Sequence, residues 1–206
     1  FKHKVHAKAY RTAERNGLIW VFMGDQSAVP ELPQIEATLL PEEAVDIHFL
    51  HRECNWLQGA EGELDTSHIG FLHYGSMNKG DAIEGASHKL SIANRTPEYK
   101  SQETEYGYSY AAYRPASDGE TYWRFGQFLY PFWTMPPIGA IDHNFLTRAY
   151  IPIDDENCMI VVIEKKGILA SVLRGEERPK GHPGVAYEDN YLPRTTDWQG
   201  RWKLVE

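Results

Sequence analysis

Residues 55–73 read NWLQGAEGELDTSHIGFLH, and their helical character stands out in a chain otherwise patterned as strands. Helix spacing places Glu61, Asp65 and His68 on nearly one face. His73 lies about 140° around an ideal helix from His68, so the two imidazoles converge only if the helix unwinds, tightens or ends between them. Gly70 sits in that interval and lowers the cost of such a change. Two readings compete. In one, acidic residues early in a helix complement its positive end and each histidine is an ordinary hydrogen-bonded side chain. In the other, two imidazoles with a carboxylate form a facial triad for iron(II) with open positions, and Asp65, one turn before His68, orients or relays charge to that ring.

Upstream, VHAKAYRTAERNGLIWVFMG reads as a hairpin around Arg15-Asn16-Gly17, since Asn-Gly is a strong tight-turn signal. DQSAVPELPQ, with two prolines, reads as a linker or surface loop. In AVDIHFLHREC the alternation of Val45, Ile47 and Phe49 with Asp46, His48 and Leu50 predicts a strand.

Downstream, HYGSMNKGDAIEGA is a glycine-punctuated loop, followed by expected strands in SHKLSIANR, KSQETEYGYSYAAYRP, ETYWRFGQFLYPFWTMPP, NFLTRAYIPID and CMIVVIEKK. The short connections imply an antiparallel meander, because parallel strands need long crossovers. From Gly167 on, the chain reads as a short helix and then loop. The fold class is therefore α+β: a curved antiparallel sheet holding one or more helices.

The chain has 206 residues, 42% hydrophobic and 13% aromatic, enough for one sizeable core. Charged residues amount to 24% without a low-complexity run, which argues against disorder. The net charge of -8, with no basic stripe, argues against a nucleic-acid partner. No apolar run approaches the ~18 residues that would span a bilayer. The first residues lack the apolar core of a secretory signal. Cys54 and Cys158 are expected as reduced thiols of a cytoplasmic protein.

The run Asn55-Trp56-Leu57-Gln58 followed by Glu61, Asp65, His68 and His73 resembles the catalytic-domain signature of Rieske non-heme iron ring-hydroxylating oxygenases. It is most similar to the phthalate-dioxygenase type, Glu-x3-Asp-x2-His-x4-His after Asn-Trp. YRTAERNGLIWVFMG resembles the last hairpin of the Rieske domain that precedes it. The resemblance implies a helix-grip (START-like) catalytic domain at residues 44–206, a Rieske hairpin remnant at 1–24 and a linker at 25–43. It implies mononuclear Fe(II) on His68 and His73, with Asp65 carrying electrons between His68 and a cluster histidine of a neighbouring subunit. Glu61 falls where relatives place a polar residue near the iron. The activity implied is hydroxylation of a small aromatic compound, such as an aromatic acid or aryl ether, with O2. Electrons would come from NAD(P)H through a reductase or ferredoxin, and the intact assembly would be a homotrimer.

Two departures accompany the match. A Rieske [2Fe-2S] cluster takes two cysteines and two histidines, and the Cys-x-His and Cys-x-x-His pairs that supply them do not occur here. The family's third iron ligand is an aspartate on a later helix; Glu188-Asp189-Asn190-Tyr191-Leu192 echoes its context only in part. Asp142, Asp154, Asp155, Asp189 and Asp197 are candidates by residue type, in turn or loop contexts that point to the surface. The chain thus reads as truncated at both ends, and the fragment alone as inactive.

Among other residues, Arg114, Arg124 and Arg148 are candidates to bind a substrate carboxylate bidentately, against the commoner role of strand arginines in cross-strand pairs or at the solvent. Tyr106, Tyr108, Tyr110, Trp123, Phe125, Phe128, Tyr130, Phe132 and Trp133 read mostly as sheet core with outward tyrosines, and alternatively as a pocket wall. The remaining histidines, His48 among them, show no comparable spacing. A metal-free helix-grip carrier of lipids or small ligands is the alternative function. A zinc hydrolase is weaker, since no His-Glu-x-x-His is present.

Overall fold

The computed structural model describes residues 1–72, 88–137, 141 and 146–166. Strands β1 (Arg11–Arg15) and β2 (Leu18–Phe22) form the expected hairpin, a separate two-stranded sheet. Asn16 and Gly17 take φ of 54° and 72°, the pair of positive values that a two-residue primed turn demands. Strand alternation turns Leu18, Trp20 and Phe22 inward and leaves Ile19 and Val21 exposed. Trp20 stacks on Trp133 at 5.9 Å, joining the hairpin to the main sheet. In the segment read as a linker, residues 27–31 are exposed, but Ile35, Ala37 and Thr38 are buried, so its second half is anchored.

The main sheet has seven strands: β3 (Val45–Arg52), β4 (Glu98–Thr104), β5 (Gly107–Pro115), β6 (Thr121–Leu129), β7 (Trp133–Met135), β8 (Leu146–Pro152) and β9 (Cys158–Lys165). Their order is β3-β9-β8-β7-β6-β5-β4, every pair antiparallel. The meander from β4 to β9 matches the expectation from short connections. β3 closes the far edge by pairing with β9, and the chain between β3 and β4 carries the helices. This is a helix-grip arrangement of the α+β class.

Helix α1 (Trp56–Leu64) starts at Asn55, whose side chain accepts the Leu57 N–H at 2.9 Å. It is followed by α2 (His68–Leu72) and α3 (His88–Ala93). Here one expectation fails. SHKLSIANR was expected as a strand, and its 88–93 portion is α3, packed on α2. The helical run also breaks at residues 65–67, ahead of the 68–73 interval; α2 is continuous from His68 to Leu72, and His73 lies outside the described residues. Asp-Thr-Ser is a string of helix-capping residues that compete with backbone helix bonds, which places the break there. Gly70 serves packing, since a Cβ at that position would lie 3.0 Å from the Ser91 carbonyl oxygen of α3. Gly59 does the same for α1, because a Cβ there would meet the Tyr150 ring at 2.7 Å.

The two faces of the sheet are packed differently. Toward α1, Leu146, Tyr150, Cys158, Ile160 and Val162 surround Ala60, with Trp56, Leu50 and Cys54 at the margin. On the opposite face, Val45, Ala149, Val161 and Ile163 pack with Ala37 from the linker and Leu18 from the hairpin. The outer face of β5 and β6 lacks that cover: Trp123 and Phe125, expected as core, are 39% and 49% exposed. They stack on each other, and Trp123 on Tyr113, beneath Lys100. Among the described residues no helix is long and apolar enough to cross a membrane.

Candidate metal and substrate site

The junction between α1 and α2 is organised by one carboxylate. Asp65 ends α1, its N–H donating to the Glu61 carbonyl at 3.0 Å. Its side chain then caps α2: Oδ1 accepts the Ser67 N–H at 2.7 Å and the Ser67 hydroxyl, and Oδ2 accepts the His68 N–H at 3.1 Å. The same Oδ2 lies 3.5 Å from His68 Nδ1. Burial raises the Asp65 pKa, but the bonds from Ser67 and His68 and the nearby imidazole outweigh it and hold the carboxyl below its ordinary 3.8. If His68 carries its proton on Nδ1, toward Asp65, Nε2 keeps the lone pair that a metal ion takes.

Of the other expected site residues, Glu61 is exposed on α1. The break after Leu64 means that Glu61, Asp65 and His68 do not share one helix face; the Asp65–His68 contact comes from capping geometry instead. His73 lies outside the described residues, as do Asp142, Asp189 and Asp197. Asp154 and Asp155 occupy the exposed β8–β9 turn, where Asp154 accepts from the Glu156 N–H and the Asn157 amide.

The junction is fastened to the sheet by hydroxyls. Tyr110 donates to the Leu64 carbonyl at 2.5 Å, and the Tyr99 hydroxyl lies 3.0 Å from the Thr66 hydroxyl and 3.3 Å from that of Ser67. Deeper along α1, Glu63 forms an ion pair with Arg148 and accepts from the Tyr150 hydroxyl at 3.0 Å. Burial works against the charged Arg148, yet Glu63 overcomes it and raises its pKa. Arg148 thus takes the cross-element pairing role rather than awaiting a substrate. Glu63 was missed in the sequence, although it falls on the same helical stripe as Trp56 and Ala60, where a carboxylate signals a buried partner.

Arg114 and Arg124 differ. Cross-strand register places Tyr110, Ala112 and Arg114 of β5 on the same face as Arg124 and Tyr122 of β6, the face from which Tyr110 reaches α1. The two arginines are 2% and 4% exposed. Arg124 Nη2 donates to the Pro137 carbonyl, whereas Arg124 Nε and Nη1 and Arg114 Nη1 are buried without a hydrogen-bond partner among the described residues. No carboxylate among the described residues forms an ion pair with either. Burial, the leading cause, lowers the pKa of both. Two buried guanidiniums with N–H groups to spare, beside Tyr110 and Tyr122, make a site suited to an anion with planar, bidentate oxygens.

A helix-grip sheet with an Asp–His pair at its helix break and a cationic inner wall thus defines the class of domain. The chain belongs to the family described as LigXa C-terminal domain like, whose model matches residues 21–168. It is 41% identical over 205 residues to the 3-chlorobenzoate-3,4-dioxygenase oxygenase subunit of Comamonas testosteroni, covering 98% of this chain and 47% of that protein. It is 31% identical over 163 residues to the phthalate 4,5-dioxygenase oxygenase subunit of Pseudomonas putida, covering 74% of this chain and 36% of that protein. The chain spans less than half the length of either relative. Among solved structures, dicamba monooxygenase bound to dicamba superposes with a TM-score of 0.52 at 17% identity, over 80% of this chain and 53% of that one. That likeness shows the shared fold.

Proposed function

We propose that this chain is the catalytic-domain portion of an oxygenase that uses mononuclear non-heme Fe(II) and O2 to hydroxylate a small aromatic acid. The observation that carries the reading is the Asp65 Oδ2 to His68 Nδ1 approach of 3.5 Å, the arrangement in which a carboxylate fixes a metal-ligating imidazole. His68 and His73 would hold the iron, with a carboxylate from elsewhere completing the facial set. When bound, the iron supplies the one-electron chemistry that activates O2.

The rest is work for the chain's own side chains. Asp65 orients the His68 ring and, with 41% of its side chain exposed, would be the residue that links that ring to a neighbouring subunit, whose [2Fe-2S] cluster would be the electron source. Arg114 and Arg124 bind the substrate carboxylate and set the aromatic ring's direction. Tyr99 and Tyr110 keep the α1–α2 junction at a fixed height above the sheet. The names of the two relatives, both oxygenase subunits acting on aromatic acids, favour this reading over a metal-free carrier. Residues 1–24 are read as the closing hairpin of the cluster domain, joined by 25–43 to the catalytic domain. A reductase or ferredoxin drawing on NAD(P)H, and trimeric assembly, complete the proposal; Glu61, exposed, is left with at most a peripheral part.

The test is His68→Ala in the intact protein, with iron content, fold and turnover of benzoate-type acids measured together. Loss of the mononuclear iron and of hydroxylation, with the far-UV spectrum retained, is the expected result. Undiminished turnover would overturn the reading.

A further inference from the structure

We propose a second divalent-cation site, formed by Asp46, His48 and Glu164 where β3 meets β9. The register makes Asp46 the direct partner of Glu164 and sets His48 opposite Val162. Asp46 and His48, two apart on one strand, therefore share a face with Glu164. One ligand atom from each of the three lies within 4.8 Å of the others.

Directly opposed like charges destabilise a sheet pair, and here one of the two carboxylates is inside the protein: the Glu164 side chain is 3% exposed. A cation shared between them relieves that repulsion. The imidazole selects its class. Two carboxylates with one nitrogen suit a divalent transition metal rather than calcium or magnesium, which prefer all-oxygen shells. Metal bonds of about 2.0–2.1 Å at the tetrahedral angle separate donors by about 3.3–3.4 Å. His48 Nε2 and Glu164 Oε1 already stand 3.6 Å apart, close to that spacing, and the Asp46 carboxylate lies within 4.8 Å of both. His48 is 33% exposed, which gives an ion a path from solvent.

The site is remote from the Asp65–His68 pair in the sheet order. The α1–α2 junction is fastened to β4 and β5 through Tyr99 and Tyr110, whereas Asp46 and His48 stand on β3, at the opposite edge. A cation at β3 would clamp the edge strand to β9, a structural task separate from oxygenation. The inference does not depend on the function proposed above.

The experiment titrates Zn(II) alone into the intact protein as isolated, by calorimetry with parallel thermal melts, and repeats it with His48→Gln and Glu164→Gln. The expected result is one equivalent of Zn(II) fewer in each variant than in the parent, and a Zn(II)-dependent rise in melting temperature that both variants lose. Should Glu164→Gln fail to fold, His48→Gln, at a partly exposed position, carries the test. Equal Zn(II) stoichiometry in parent and His48→Gln overturns the proposal. So does a parent that shows no saturable binding.

Discussion

The two faces of the seven-stranded sheet are built from the same strands with opposite chemistry. The face toward the hairpin is aliphatic and aromatic where it is covered: Val45, Ala149, Val161 and Ile163 with Leu18 and Trp133. The face toward α1 mixes Ile160 and Val162 with Arg114, Arg124, Arg148 and Tyr150, and closes on Glu63. Strand alternation makes this possible, since neighbouring residues serve different layers. One layer holds the fold together; the other accepts the cost of burying polar groups in exchange for a chemically capable wall.

Substitutions that break this contrast should rank in a definite order. Removing one partner of the Glu63–Arg148 pair by Glu63→Gln strands a cation, and should cost about 3–5 kcal/mol in chemical denaturation. On the other face, Ile163→Ala at a fully buried position should cost about 2–5 kcal/mol through lost burial and a cavity. Asp65→Ala should remove the α2 cap for about 1 kcal/mol, while Asp65→Asn should retain most of it. Because the Asp65 pKa is lowered in the folded protein, its contribution is present above the ordinary 3.8 and is lost as pH falls below it. Acid titration of stability should therefore flatten there in Asp65→Asn.

The smallest stability effect sharpens the comparison most. Arg124 is buried without an ion-pair partner among the described residues, so Arg124→Met should leave the melting temperature unchanged or raise it, opposite in sign to Glu63→Gln. The same change should raise KM for an aromatic acid roughly tenfold or more, as expected for losing a charge-assisted hydrogen bond of ~1.5–3 kcal/mol. An unchanged KM would show that the wall of arginines does not meet substrate.

Much of this was legible in the chain because its signals are local. Asn16-Gly17 dictated the first hairpin, the Val45-Ile47-Phe49 alternation dictated β3, and the three-residue step from Asp65 to His68 marked their contact. The failures share a cause in tertiary context. Lys89-Leu90-Ser91-Ile92 alternates like a strand, yet it lies in α3, against Gly70 of α2. The break at Asp65, Thr66 and Ser67 went unread because the helical spacing of Glu61, Asp65 and His68 suggested one continuous face. The pairing of β3 with β9, and with it Asp46 opposite Glu164, joins segments too far apart for any short pattern to reveal.

That last pairing has a temporal consequence. Val45 finds its partner Lys165 only about 120 residues later in the chain, which at ribosomal rates of ~5–20 residues per second is roughly 6–24 s of synthesis. For that interval β3, an edge strand, emerges without β9, its one ladder partner, and with its Val45-Ile47-Phe49 side uncovered by the sheet. Chaperone capture or mispairing during translation should therefore centre on this strand, and a slowed stretch of codons between β3 and β9 should lower yield more than one placed before β3.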